Sequence, residues 1–144
     1  MELDFTVKGI PIPKGSMRHI GNGRMVDQTK TKPWMNSIRS ASLEAAALVV
    51  EPGSIAPFII EVPVSVHIEF YFPRPAAARN RLYPHKRSVG DIDKLSRAVL
   101  DALQPNRTEI GVLMDDSLVV DLHARKRYSE SEITGAWIVV KELI

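Results

Sequence analysis

Between Val62 and Phe70 every second residue is apolar (Val62, Val64, Val66, Ile68, Phe70), with Pro63, Ser65, His67 and Glu69 in between. A period of two belongs to a strand with one buried face. The chain must therefore build a sheet and supply something to cover it. The strand reads from Phe58 to Phe72, and Pro63, which has no N–H to give a ladder, predicts an edge position or a bulge at that end.

The cover comes from two segments with a helical period. From Trp34 to Val50, Trp34, Ile38, Ala41, Ala45 and Leu48 fall on one helical face, with Pro33 suited to the first turn and Pro52-Gly53 to the stop. From Asp91 to Gln104, Ile92, Leu95, Val99, Ala102 and Leu103 make a second stripe. Further strands are expected at Leu3–Ile10, Val119–Tyr128 and Ala136–Ile144. The segment 15–28 is rich in Gly and basic residues, and Asn22-Gly23 makes it a candidate hairpin or flap. The order β–α–β–α–β–β predicts an α+β fold, a mixed sheet carrying two main helices. A chain of 144 residues with 44% hydrophobic side chains fits one domain over 1–144.

Cysteine is absent, which excludes disulfides and thiolate metal sites. The N-terminus Met-Glu-Leu-Asp-Phe is acidic where a secretion signal is basic, and no apolar run approaches the roughly 20 residues that span a bilayer. A soluble cytoplasmic protein without membrane partner or organic cofactor is the expectation.

The net charge of +2 implies little by itself, but its distribution is uneven. No acidic residue occurs between Glu69 and Asp91, a stretch holding Arg74, Arg79, Arg81, Lys86, Arg87 and His85. From Asp91 to Asp121 the sign reverses, with seven acids against three bases (Lys94, Arg97, Arg107). Basic residues beside an acidic cluster suit a metal-dependent phosphodiesterase, the bases holding a polyanion and the acids holding cations at its phosphate. Composition alone does not separate that from a solvated loop.

The acids offer two pairs. Asp91 and Asp93 stand where the second helix begins; inside a helix residues two apart diverge, but Asp91 still has non-helical backbone and both carboxylates can converge. Asp115-Asp116 precedes the next strand, where neighbours point to opposite faces. Asp116 has the parity of Leu118, Val120 and Leu122, the face expected to turn toward the helices, so Asp116 is the candidate ligand and Asp115 an outer one. Hard oxygen donors without Cys favour Mg²⁺, with Mn²⁺ as substitute, over Zn²⁺. Each acid also has a structural reading: Asp91 as an N-cap, Asp93 paired with Arg97 one turn on, Asp115-Asp116 as a turn.

The run Gly90-Asp91-Ile92-Asp93-Lys94-Leu95-Ser96-Arg97, continuing to Asp101-Ala102-Leu103, and the later Gly111-Val112-Leu113-Met114-Asp115-Asp116-Ser117-Leu118-Val119 resemble the two motifs of RusA-type Holliday junction resolvases in order and spacing. The resemblance extends along the chain in order of elements more than in identity. It implies a homodimeric, metal-dependent endodeoxyribonuclease, often phage- or prophage-encoded, that nicks four-way junctions and other branched DNA. On it, Asp91, Asp93 and Asp116 hold the metal and Arg97 assists cleavage. Lys94 stands where the family usually has Asn, and Arg97 where it has Lys, a charge-conserving but not equivalent change. Lys14, Arg18, Arg24, Arg74, Arg79, Arg81, Lys86, Arg87 and Lys94 are the expected DNA contacts, with His19 and His85 in support. A non-catalytic branched-DNA binder of the same fold is the alternative. A nucleotide-sugar transferase also uses Asp-x-Asp, but it would need a large nucleotide-binding domain and leaves the basic loop without a role.

Overall fold

The computed structural model describes residues 1–15, 19–20, 24–25, 30–53, 58–78, 80–85 and 87–144, with backbone alone at 19, 20, 24, 25 and 87. Its elements are β1 (Glu2–Lys8), β2 (His19–Ile20), β3 (Arg24–Met25), α1 (Thr31–Val49), β4 (Val64–Phe72), α2 (Ile92–Leu103), β5 (Val119–Tyr128) and β6 (Gly135–Glu142). One four-stranded sheet has the order β1-β6-β4-β5, antiparallel except for the parallel pair β4–β5. The α+β expectation with a mixed sheet and two helices holds. β2 and β3 pair as a short antiparallel ribbon, while the expected Asn22-Gly23 turn lies outside the described residues.

Alternation decides which face is covered. Phe5, Ile138 and Ile68 lie side by side across β1, β6 and β4, and Val7, Ala136 and Phe70 repeat the row; all six are buried. Trp34, Ile38 and Ala46 of α1 and Leu95, Ala98, Val99, Ala102 and Leu103 of α2 belong to the same core. On the opposite face, His67 and His123 are register partners with rings stacked 5.8 Å apart, and Trp137 donates its indole N–H to Asp4 at 2.7 Å. Trp34 is core, as its place in the apolar stripe suggested.

Of the two positions open to Pro63, the structure has the bulge and not the edge: β4 lies between β6 and β5, starts at the residue after the proline, and shows a register shift at Val64/Ser65. The stripe expected on α1 is corrected at one end. The buried face of α1 runs Trp34, Ile38, Ser42, Ala46, a strict i+4 row, while Leu48 is 87% exposed. Ala41 and Ala45 pack partly buried against the core, so of the expected stripe only Leu48 leaves it, and Arg39 is buried on the same helix and turns toward α2.

Arg39 explains how the two helices are locked. Its guanidinium donates to the carbonyls of Gln104 (2.9 Å) and Asp101 (3.3 Å) and pairs with Glu109 at 3.3 Å. The last carbonyls of a helix lack intrahelical partners and carry the negative end of its dipole, so a cation there satisfies both. Beyond α2 the chain turns so closely that a Cβ on Gly111 would lie 2.4 Å from the Gln104 carbonyl carbon. The Leu113 N–H then reaches Leu103 O at 3.0 Å, bringing Asp115 and Asp116 back beside α2.

Candidate active site

A cleft of about 500 Å³ opens between α2 and β5, lined by Ile92, Asp93, Ser96, Arg97, Leu100, Asp101, Asp116, Leu122 and Ala124. Asp93, Arg97 and Asp101 are four residues apart in succession, so they stack along one face of α2. Asp116 opens a 3₁₀ turn, Asp116–Leu118, from which β5 departs. Its side agrees with the parity argument, but for a different reason: strand alternation does not continue through a 3₁₀ turn. Nor is that side of β5 a packed face, since Val120 is 62% and Leu122 43% exposed. The floor of the cleft is apolar and open, and its polar groups are Asp93, Ser96, Arg97, Asp101 and Asp116.

Asp91 caps the start of α2 with extended backbone (φ −78°, ψ 144°), but its carboxylate makes no capping hydrogen bond and instead pairs with Lys94 at 3.5 Å. It stands at the rim, outside the lining of the cleft. Asp115 makes the cap that Asp91 does not: it accepts the Ser117 N–H at 2.8 Å, and Ser117, through its hydroxyl first and its amide second, holds the Asp115 carboxyl below its usual range. Asp101 accepts from the Lys14 ammonium at 2.7 Å, while the Lys14 N–H reaches Lys94 O at 2.9 Å. The segment ahead of the basic ribbon is thereby strapped along α2. Gly90 makes room for the strap: its φ is +92°, and a Cβ there would lie 2.7 Å from Pro13 Cγ.

Among the described residues, Asp93, Arg97 and Asp116 enter no side-chain hydrogen bond or ion pair, so their charges face the cleft unspent. Nor, among the described residues, are three or more His, Asp or Glu side chains gathered closely enough to enclose an ion. That arrangement still fits Mg²⁺, which keeps several waters and is commonly held by one or two carboxylates together with substrate phosphate oxygens. The donors are all hard oxygens, and Asp93 and Asp116 reach one cleft from separate elements.

The expected DNA contacts divide. Lys14 is tied to Asp101 and Lys94 to Asp91. Arg74 lies over the Tyr128 ring, 5.6 Å from its centroid, and donates to the Arg81 carbonyl, which makes it an anchor of the loop after β4. The Tyr128 N–H holds Leu82 O at 2.9 Å in the same way, leaving the Arg81 side chain exposed. Arg18, Arg79 and Lys86, and the side chains of Arg24 and Arg87, lie outside the described residues. Sequence reasoning missed Gln104, whose side-chain oxygen accepts the Asp116 N–H at 2.9 Å, and saw Lys126 only as one of the basic cluster Arg125-Lys126-Arg127, whereas its ammonium donates to Gly90 O at 2.8 Å. Lys126 had a signal: it follows Leu122 and Ala124 on the helix-facing parity of β5, where an unpartnered ammonium is costly.

Comparison with known proteins gives the family of the chain. A relative described as "Uncharacterized protein YqaN" from Bacillus subtilis (strain 168) is 32% identical over 141 residues, covering 89% of each chain. A family model described as Endodeoxyribonuclease RusA matches residues 8–140, a span that includes the Lys14 strap, α2, the Asp115-Asp116 turn and β5. By that match over nearly its whole length, the chain belongs to the RusA endodeoxyribonuclease family.

Proposed function

We propose that this protein is a Mg²⁺-dependent, structure-selective endodeoxyribonuclease that nicks four-way junctions, and other branched DNA, symmetrically as a homodimer in a bacterial cytoplasm. The observation that carries the reading is the cleft in which Asp93, Arg97 and Asp116 converge with no partner among the described residues. Two carboxylates and a guanidinium that line one cleft from separate elements, and have no partner among the described residues, are free to take up a cation and a phosphate.

In this reading Asp93 and Asp116 face the scissile phosphate and hold the cation. Asp91 adds a donor from the rim when Lys94 turns to a phosphate, and Asp115 keeps the Asp116 turn in shape. Bound there, Mg²⁺ supplies Lewis-acid stabilisation of the phosphoryl oxygens and an acidified water. Arg97, one turn beyond Asp93, offsets charge that develops on the phosphate during in-line attack. Arg81 and Lys94 grip the DNA backbone, together with Arg18, Arg24, Arg79, Lys86 and Arg87.

The scattered carboxylates favour one second reading, a branched-DNA binder without cleavage. A single gel separates them. Junction, flap and linear duplex are incubated with the protein in Mg²⁺ or in EDTA. Paired nicks in the junction that require Mg²⁺ support the nuclease; a shifted but intact junction under all conditions supports the binder.

A further inference from the structure

We propose that Gln104 and Lys126 are positioning residues that set the width of the cleft between α2 and β5, and with it the separation of Asp93 from Asp116. The inference rests on the reading of that cleft as the metal site.

Packing does not fix this gap. Leu122 and Ala124 face α2 from β5, yet Leu122 remains 43% exposed and the space between the elements holds about 500 Å³. β5 is also an edge strand, paired in the sheet only to β4. Apolar contact therefore tolerates a range of separations here, whereas carboxylates sharing one cation do not: Mg²⁺ demands oxygens at about 2.0–2.1 Å in near-octahedral geometry.

Polar links close the two ends instead. At the C-terminal end of α2, Gln104 is the C-cap, its backbone carbonyl held by Arg39 and its side-chain oxygen accepting the Asp116 N–H at 2.9 Å. The hydrogen bond acts on the residue that carries the carboxylate. At the N-terminal end, Lys126 reaches from β5 to Gly90 O at 2.8 Å, the peptide immediately before Asp91 and three residues before Asp93. Its register partner Phe70 is fully buried, so the lysine stem leaves the core edge in one direction, toward the start of α2. One clamp orients the acid at the base of β5, the other the helix turn that carries Asp93. A displacement near 1 Å in such a site costs about a hundredfold in rate, so loss of one clamp is expected to cost at least about tenfold.

The test uses Gln104→Met and Lys126→Met, which keep length and remove the polar contact, with Lys126→Arg as the conservative variant. Three quantities are read at a temperature where all variants are folded by circular dichroism. They are the single-turnover nicking rate on saturating junction, the junction Kd, and Mn²⁺ affinity of the DNA-free protein from an electron-paramagnetic-resonance titration. The clamps predict slower nicking, a higher half-saturating Mg²⁺ and weaker Mn²⁺ binding in both Met variants, an unchanged junction Kd, and recovery in Lys126→Arg. Wild-type rate and Mn²⁺ affinity in both Met variants overturn the clamps while the nuclease reading stands. A loss confined to junction Kd overturns them too, making Lys126 a phosphate contact. A wild-type protein that neither nicks nor binds Mn²⁺ overturns the metal site and the clamps together.

Discussion

Replacing Arg39 with Met tests the link between the helices that positions the site. The substitution keeps most of the stem volume and removes the guanidinium. It abolishes the hydrogen bonds to Gln104 O at 2.9 Å and Asp101 O at 3.3 Å, and the ion pair with Glu109 at 3.3 Å. Hydrogen bonds from a charged donor contribute about 1.5–3 kcal/mol each, with the longer one at the low end. The Glu109 side chain is 39% exposed and rehydrates, so that pair adds less than about 1 kcal/mol. Against this stands the desolvation of a buried cation whose Nε has no partner among the described residues, a penalty of about 1–3 kcal/mol that the substitution removes. The net expectation is a destabilisation of about 2 kcal/mol. At about 2–4 °C per kcal/mol for a chain of this size, the melting temperature falls by roughly 4–8 °C. Urea unfolding measures it, with an unchanged slope showing that the same surface is exposed. A variant as stable as the parent, or more so, refutes the reasoning, because the burial cost would then exceed what the capped carbonyls return.

Two further outcomes follow from the strap and the Asp115 cap. Gly90→Ala forces a side chain into positive φ against Pro13 and should cost about 1–3 kcal/mol in denaturant; a neutral effect would show that the strap yields freely. Ser117 keeps the Asp115 carboxyl ionised to lower pH than an ordinary aspartate, so the cap is intact above the usual carboxylate range and is lost as pH falls through the lowered value. The Ser117 amide resonance should titrate with a midpoint below about 3.9, and a midpoint at or above that value contradicts the cap.

Much of the scaffold was legible because two periods carry it. The alternation from Val64 to Phe70 and the stripe from Leu95 to Leu103 name their buried faces directly, although Val62 and Ile92, assigned to the same faces, are exposed, and β5 runs from Val119 to Tyr128 as its pattern indicated. What pattern could not supply was sheet order. Pro63 left an edge or a bulge open and the structure has the irregular end, while the edges fell to β1 and to β5, whose apolar Val120 and Leu122 look like core in sequence yet are exposed, Leu122 at an open cleft. The acids were visible by type and spacing, but their partners were not: Lys14 lies 87 residues from Asp101, and Gln104 meets Asp116 only because the tight turn at Gly111 folds the chain back. Arg39 was hidden within an apolar stripe, where a single basic residue reads as an exposed interruption.

The central claim is that Asp93 holds the cation required for cutting and does not hold the DNA. Asp93→Asn keeps the size of the side chain and removes its charge, so the most direct measurement is junction binding and junction nicking by that variant in Mg²⁺. Binding as tight as the parent's, with nicking lost, is the predicted result; nicking at the parent's rate would contradict it.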